Sequence, residues 1–142
     1  MFLGEYEHST DKKGRIAIPA RFREVLQTGL ILARGYDRCI AVYPLAEWSK
    51  VVAVFEALPM TLAKNRRHAR SIFSGAYQLE MDRQGRVLLP STLREYAEID
   101  DTAIIVGMNS HLEIWARENW ASERVLMEEQ TWQLGETAPV ER

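Results

Sequence analysis

The sequence predicts an α+β fold, rich in β-strand, that is made of two tandem copies of one unit. Residues 11–24 read DKKGRIAIPARFRE, and residues 82–95 repeat the pattern as DRQGRVLLPSTLRE at a constant spacing of 71 residues, without a gap. In each copy a turn-forming Asp-x-x-Gly segment leads into a short apolar stretch typical of a strand. A proline and apolar residues at helical spacing then follow. Self-similarity of this kind indicates two structural repeats.

Four short strands are predicted in each copy. In the first copy they are Phe2 to Tyr6 with His8, Ile16 to Ile18, Leu30 to Ala33, and Cys39 to Tyr43. In the second copy they lie near Tyr77 to Leu79, Val87 to Leu89, Ala103 to Val106, and Leu112 to Trp115. We expect the first two strands to pair as a β-hairpin, because Asp11 and Gly14 suit a tight turn between them. The next two strands are expected to pair around Gly35.

Helices are predicted after the second and the fourth strand of each copy. Pro19 and Pro90 suit the first turn of a helix and cannot lie inside a sheet. The apolar residues that follow them are Phe22, Val25 and Leu26 in the first copy, and Leu93, Tyr96 and Ala97 in the second. The longer predicted helices are one with the apolar stripe Leu45, Trp48, Val52 and Phe55, a connector from about Thr61 to Phe73, and one from about Arg117 to Gln133. We expect Trp48 and Trp120 to be core residues, since both fall in apolar stripes.

The repeat divides the chain into four segments. These are a first repeat at residues 1–58, a basic helical connector at 59–72, a second repeat at 73–134, and a C-terminal tail at 135–142. A unit of about 70 residues buries a small fraction of its surface and is marginally stable alone. We therefore expect the two repeats to share one core, and the tail to be frayed because it has little to bury.

Charge is distributed unevenly along the chain, although the net charge is only −2. Residues 1–94 contain 15 Lys and Arg against 9 Asp and Glu, whereas residues 95–142 contain 3 against 11. Within the positive part, the segments 11–24 and 64–70 are the most basic. Such asymmetry raises the hypothesis of an electrostatic partner such as nucleic acid. On charge alone, the favoured interpretation is that these charges only solvate the surface.

Several classes of site lack support in the sequence. The single cysteine, Cys39, excludes an intrachain disulfide and a multi-thiolate zinc site, and it is interpreted as a buried strand residue. The three histidines show no metal-binding spacing, and no catalytic motif or phosphate-binding glycine loop occurs. We expect no metal, no cofactor, no small-molecule substrate and no enzymatic activity. No long apolar run or signal sequence is present, so a soluble intracellular protein is expected.

Each copy carries an Asp-x-x-x-Arg pair at its turn, Asp11 with Arg15 and Asp82 with Arg86. The spacing allows a salt bridge across a short turn, so the pair can serve only to shape the loop. Alternatively, the arginine contacts a partner while the aspartate orients it, because phosphate would repel a carboxylate. In both interpretations Gly14 and the equivalent Gly85 are turn residues.

The opening MFLGEYEHS and the two Asp-x-x-Gly-Arg elements, each preceded by Phe-x-Gly-x-Tyr and followed by a proline and an Arg-Glu pair, resemble the MraZ family of AbrB-like bacterial transcriptional regulators. The resemblance runs nearly from end to end. It implies two AbrB-like swapped-hairpin β repeats with flanking helices that form a pseudo-dimeric barrel. It also implies assembly of the protein with itself into a ring, cytoplasmic and nucleoid-associated. The ring would bind G-containing direct repeats in double-stranded DNA upstream of division and cell-wall genes.

The same resemblance associates the Asp-x-x-x-Arg element with DNA contact, which Arg15 and Arg86 match. The DNA-binding residues we predict are Arg15, Arg86, Lys12, Lys13, Arg21 and Arg83, and the residues predicted to support the turns are Asp11, Gly14, Asp82 and Gly85. The first copy is the more basic and is expected to dominate the contact. A protein-binding module of the AbrB-like antitoxin type, with the acidic C-terminal helix holding a partner, is the alternative function.

Overall fold

The computed structural model describes residues 1–137, with side chains described through Thr131. The strands are β1 (Glu5–Ser9), β2 (Arg15–Ala17), β3 (Leu30–Arg34), β4 (Cys39–Pro44), β5 (Tyr77–Leu79), β6 (Arg86–Leu88), β7 (Thr102–Gly107) and β8 (Leu112–Ala116). The helices are α1 (Arg23–Leu26), α2 (Leu45–Glu56), α3 (Ala63–Ser74), α4 (Ser91–Ala97) and α5 (Arg117–Thr137). The last helix therefore extends past its predicted end at Gln133 and into the predicted tail. Residues 138–142 of that tail lie outside the described residues.

The strands form a six-stranded antiparallel sheet in the order β1-β7-β8-β4-β3-β5 and a two-stranded ribbon of β2 with β6. If each strand is replaced by its equivalent in the other copy, the same strand order results, read from the opposite edge of the sheet. The two copies are therefore related by a pseudo-two-fold axis that passes between β4 and β8, where Ile40 lies opposite Ile114.

Strand exchange between the copies corrects the predicted hairpins. The first strand does not pair with the second: Tyr6 lies opposite Ile105 of the second copy, and Ile16 lies opposite Val87. Only the turn itself is local. The pairing of β3 with β4 is confirmed, with Leu32 opposite Val42. The exchange lets each copy bury its apolar strand faces against the other.

The α+β, β-rich class and the swapped arrangement are confirmed, and the sheet is open. Both β1 and β5 are edge strands, so hydrogen bonds do not close the six strands into a barrel. The ribbon of β2 and β6 instead covers one face of the sheet. Ile16, Ile18, Val87 and Leu89 point from the ribbon side into a core that also contains Leu32 and the other inward residues of the sheet.

One shared core joins the two copies, as expected from their length. It includes Phe22 and Leu26 of the first copy with Leu93 and Ala97 of the second, all of them buried. Val25 is an exception among the predicted apolar positions, since it is 49% exposed. The chain after Pro19 forms a single 3-10 turn and the short helix α1, which is too brief to bury a long apolar stripe.

The opposite face of the sheet is covered by helices. Trp120 of α5 packs on Trp115 and buries Cys39, whose thiol pKa is raised by that burial. Trp48 of α2 is half-buried against Phe73 of α3, with ring centroids 5.9 Å apart. The prediction of a core position is confirmed for Trp120, whereas Trp48 packs on its aromatic neighbours without being fully buried. The basic helix α3 thus lies on the face of the sheet opposite to the β2–β6 ribbon.

Candidate nucleic-acid interface

Two loops with the same geometry stand at the ends of the ribbon. In loop 1 (residues 11–15) the Gly14 amide donates to the Asp11 carbonyl at 3.0 Å, and the Asp11 amide donates to the Arg15 carbonyl at 2.9 Å. In loop 2 (residues 82–86) the equivalent distances are 3.0 and 2.8 Å. Gly14 has φ of +85° and Gly85 has φ of +74°, so both occupy the left-handed region that favours glycine. The repeated sequence therefore produces a repeated turn.

The aspartate of each loop organises the backbone. Asp11 Oδ1 accepts from the amides of Lys13 and Arg15, both at 2.9 Å. Asp82 Oδ1 accepts in the same way from Gln84 at 2.9 Å and Arg86 at 3.0 Å. A short carboxylate side chain that bonds to amides two and four residues later fixes a turn.

The second oxygen of each aspartate holds the arginine. Arg15 Nε donates to Asp11 Oδ2 at 2.7 Å, and Arg86 Nε donates to Asp82 Oδ2 at 2.9 Å. The bond uses the Nε–H of the planar guanidinium, and the four Nη–H donors are not part of it. Arg15 is 30% exposed, so these donors are accessible to a ligand. An aspartate in this position orients the arginine and does not consume its whole donor set.

Hydrogen bonds to the ionised carboxylates also change their acidity. The Arg15 amide, and then the Arg15 and Lys13 hydrogen bonds, lower the pKa of Asp11 to about 2. The pKa of Asp82 is lowered for the same reasons, with the Arg86 amide first. Both aspartates are therefore charged at neutral pH, and both loops keep their form there.

The β2–β6 ribbon brings the two loops to one surface. Ala17 lies opposite Arg86, and the Arg86 Nη1 atom is 3.6 Å from Asp11 Oδ2. A shallow depression of about 370 Å³ between the loops is lined by Arg15, Asp82, Arg83, Gln84 and Arg86. Two arginines separated by 71 residues in sequence thus share a single site.

Not every predicted DNA-binding residue lies in this depression. Lys12 and Lys13 lie outside it, exposed at the tip of loop 1, whereas Arg83 lines it and is exposed at the tip of loop 2. Arg21 is exposed on the 3-10 turn that follows Pro19. Its Nη1 donates to the Tyr6 hydroxyl at 3.0 Å, and its guanidinium lies over the Phe22 ring. Its equivalent, Thr92, bonds to the hydroxyl of Tyr77 at 2.9 Å. Arg21 therefore belongs to a Tyr-based contact that the second copy builds without a cation.

Two residues of the site were given no role from sequence. Arg23 lies across Gly85, and Arg94 lies across Gly14, so each loop is contacted by the helix of the other copy. The signal was present in the Arg-Glu pair that follows each proline. Because the residues themselves predicted that the first two strands pair within each copy, nothing in the sequence linked those arginines to the opposite glycines.

The basic connector is separated from the loops. Lys64, Arg67 and Arg70 are exposed on α3, whereas Arg66 donates to the carbonyls of Met60 and Thr61 at 3.0 Å. The connector and the loops lie on opposite faces of the sheet, so they do not form one basic surface. Among the described residues, no cluster of three or more potential metal ligands occurs, and no helix is long and apolar enough to span a membrane.

Comparison with known proteins identifies relatives over most of the chain. A family model described as "MraZ protein, putative antitoxin-like" matches twice, at residues 1–71 and 72–132. The transcriptional regulator MraZ of Roseiflexus sp. (strain RS-1) is 49% identical over 120 residues, 84% of each chain. That of Desulforamulus reducens is 45% identical over 136 residues, 96% of each chain, and that of Desulfitobacterium hafniense (strain Y51) is 50% identical over 121 residues, 85% of each chain.

Proposed function

Because this chain belongs to the MraZ family, whose relatives above are named transcriptional regulators, we propose that it is a transcriptional regulator that binds double-stranded DNA in a sequence-specific manner. The observation that carries the proposal is the convergence of Arg15 and Arg86 on one exposed surface, each held by an aspartate through Nε. Cationic loops of this kind approach the major groove or the phosphate backbone.

In this proposal Arg15 and Arg86 read bases. The planar guanidinium donates two parallel hydrogen bonds to guanine O6 and N7, a pairing that discriminates by about 1–3 kcal/mol against other bases. The aspartates fix the loop and restrict the orientation of each arginine, which lowers the entropy lost when the side chain is immobilised on DNA.

The remaining cations contact phosphate. Lys12 and Lys13 extend from the tip of loop 1, and their ammonium groups are point charges without the planar fork of a guanidinium. Arg83 extends from the tip of loop 2 and is assigned to phosphate with them. Arg21 adds one further cation beside loop 1. The first copy presents Lys12 and Lys13 where the second has Arg83 and Gln84, so we assign the larger part of the electrostatic contact to the first copy.

Assembly supplies the rest of the affinity. One chain offers a small site, and several chains in a ring would contact successive direct repeats of one DNA, so that later contacts become intramolecular. Heterologous association, in which unlike faces meet, closes into a ring when the rotation permits. The basic α3 and the acidic α5 provide two such unlike faces. The proposed targets are repeats upstream of division and cell-wall genes, in the cytoplasm at the nucleoid.

A mobility-shift titration at physiological salt tests the proposal. The probe is the DNA upstream of the protein's own gene, with a scrambled duplex of equal length and composition as control. Retention of the upstream probe at lower protein concentration, together with a footprint over repeated elements, is the expected result. Equal binding of both probes would contradict sequence-specific recognition.

A protein-binding module is the second candidate, favoured by a specific surface. Helix α5 carries exposed Val125, Leu126 and Met127 between acidic residues, and the matching family is described as antitoxin-like. Exposed apolar side chains on an acidic helix suit a basic protein partner. If neither probe were retained at physiological salt, this reading would be preferred.

A further inference from the structure

We propose that Arg23 and Arg94 are positioning residues that act across the two copies: Arg23 sets the conformation of loop 2, and Arg94 sets that of loop 1. The DNA part of this inference rests on the proposed function, whereas its structural part does not. The two arginines touch the loops that present Arg86 and Arg15, and each comes from the helix of the opposite repeat.

The contact at loop 2 is the tighter one. A methyl group added at Gly85 would overlap Arg23 Nε, Cδ and Cζ. Gly85 is buried although it lies in an exposed loop, because the guanidinium of Arg23 covers it. The cover is itself fixed, since Arg23 Nε donates to the Ile18 carbonyl at 2.8 Å.

Backbone pairing connects this cover to the loop. The Ile18 amide donates to the Gly85 carbonyl at 2.9 Å, so Ile18 binds Gly85 through its amide and Arg23 through its carbonyl. Residue 18 of the first copy therefore joins Arg23 to the turn glycine of the second copy. Movement of Arg23 is transmitted to the strand that carries Arg86, only one residue further along.

The contact at loop 1 has the same plan with a weaker anchor. A methyl group at Gly14 would come within 3.1 Å of Arg94 Cζ, and the Leu89 amide donates to the Gly14 carbonyl at 2.9 Å. Arg94 Nε is buried, however, and has no hydrogen-bond partner among the described residues. Arg94 is thus packed on Gly14 without the second bond that fixes Arg23, and loop 1 is the more loosely held of the two.

This arrangement makes the two loops a single recognition unit. An arginine that reads a base must be held in place before binding, because a loose loop loses entropy and selects bases poorly. Since each loop is supported by the other repeat, neither repeat alone presents a fully ordered loop. A substitution in one copy should therefore be felt at the arginine of the other.

Amide hydrogen exchange resolved by residue tests the crossed pattern without DNA. The variants are Arg23→Ala and Arg94→Ala, with Arg124→Ala on α5 as a matched loss of one arginine that contacts neither loop. Arg23→Ala should speed exchange of the Gly85 amide several-fold more than that of Gly14, and Arg94→Ala should do the reverse with a smaller change. Core amides such as Ile105 should keep wild-type exchange in both variants.

Every other pattern overturns the inference. A change confined to the loop of the same copy, an equal change in both loops, or no change in either would show that the arginines do not support the opposite loops. Should Arg23→Ala fail to fold, Arg23→Lys takes its place, because lysine keeps the charge and stem but lacks the planar group over Gly85. The expected pattern is then the same, at reduced size.

DNA binding separates positioning from direct contact. Arg23→Ala should lower the ratio of upstream to scrambled affinity, whereas loss of a phosphate contact lowers both affinities alike. If the exchange pattern were crossed but the protein bound no DNA, the proposed function would be wrong. The inference that each arginine supports the loop of the other copy would still hold. Parallel loss of both affinities with unchanged exchange in loop 2 would make Arg23 a phosphate ligand and overturn its positioning role.

Discussion

Arg86 Nη1 lies 3.6 Å from Asp11 Oδ2, so an arginine of the second copy meets the aspartate that anchors the first. Asp11 Oδ2 already accepts from Arg15 Nε at 2.7 Å, while Arg86 is held mainly by Asp82 at 2.9 Å. The side chains of the two repeated elements therefore lie in a row of alternating charges, in the order Arg15, Asp11, Arg86 and Asp82. This relationship makes the two loops interdependent and decides what substitution of Asp11 does.

Asp11→Asn is expected to loosen both arginines, with the larger effect on Arg15. Asparagine can still accept the amides of Lys13 and Arg15 through its oxygen, so the turn persists, but the negative charge facing two guanidinium groups is gone. We expect a small loss of thermal stability and a larger loss of preference for upstream over scrambled DNA. Asp82→Asn is the matched control. If Asp11→Asn left Arg86 as well ordered as in the wild-type protein, the cross-copy contact would have no role.

The acidity of Asp11 provides a direct check on loop geometry. Its pKa of about 2 in the folded protein is below the ordinary value of about 4. Because the pKa of Asp11 is depressed by folding, its ionised form stabilises the loop at pH values above the pKa of Asp11 in the unfolded chain. This stabilisation is lost as the pH falls through about 2. Carboxyl-carbon NMR should give a midpoint near 2 for Asp11 and an ordinary one in denaturant.

A midpoint near the ordinary value in the folded state would contradict the hydrogen bonds described. Arg15→Ala refines the measurement, because the Arg15 amide, the first cause of the shift, remains while the side-chain bond is removed. The midpoint should therefore rise only in part.

Gly14→Val is expected to destabilise loop 1. Valine is β-branched and disfavours φ of +85°, which corresponds to strain of about 1–3 kcal/mol. Its side chain would also meet Arg94. We expect a lower melting temperature and weaker DNA binding, with the sheet retained by circular dichroism. If both melting temperature and affinity were unchanged, the turn would be assigned wrongly.

Much of this local structure was predictable because local residues determine it. Asp11 and Gly14 form a turn, although the strands on either side of it do not pair with each other, and Pro19 precedes a 3-10 turn that leads into the short helix α1. The partner of β1 was not predictable, since Tyr6 opposite Ile105 depends on burial against a strand about 100 residues away. The place of Arg23 on Gly85 follows from that exchange and was missed with it.

Neutralising the exposed connector cations should weaken assembly. We expect Lys64→Gln, Arg67→Gln and Arg70→Gln together to lower the mass of the proposed oligomer and its sensitivity to salt. Helix α3 lies away from the loops, and in the proposed ring its charge would complement the acidic α5 of a neighbouring subunit. Arg66 is left in place, since it donates to the carbonyls of Met60 and Thr61 just before α3. Native mass spectrometry across a salt series measures the change.

Lys50→Gln on α2 is a control for that experiment, because Lys50 is exposed and pairs with Glu47 of its own helix at 3.0 Å. An unchanged mass combined with lower affinity for every DNA sequence would place α3 on DNA instead. An unchanged mass and affinity would leave the connector as a solvated surface.

Lys12→Ala with Lys13→Ala should weaken binding to upstream and scrambled DNA nearly equally. Each phosphate contact that is lost should reduce the slope of log affinity against log salt by about 0.9. Titrations at several salt concentrations give that slope. A selective loss for the upstream probe would mean that the lysines read sequence, against the role proposed for them.

The most direct test of the proposed function is the sequence preference of Arg15→Ala, measured as the ratio of upstream to scrambled affinity in an assembled, folded protein. We expect this ratio to fall by about tenfold, in line with about 1–3 kcal/mol for one arginine–guanine pairing. The ratio should fall nearly as far for Arg15→Lys, which keeps the charge but not the planar fork. It should fall less for Arg86→Ala. If Arg15→Ala kept the wild-type ratio, Arg15 would be only the partner of Asp11, and base reading by this loop would be wrong.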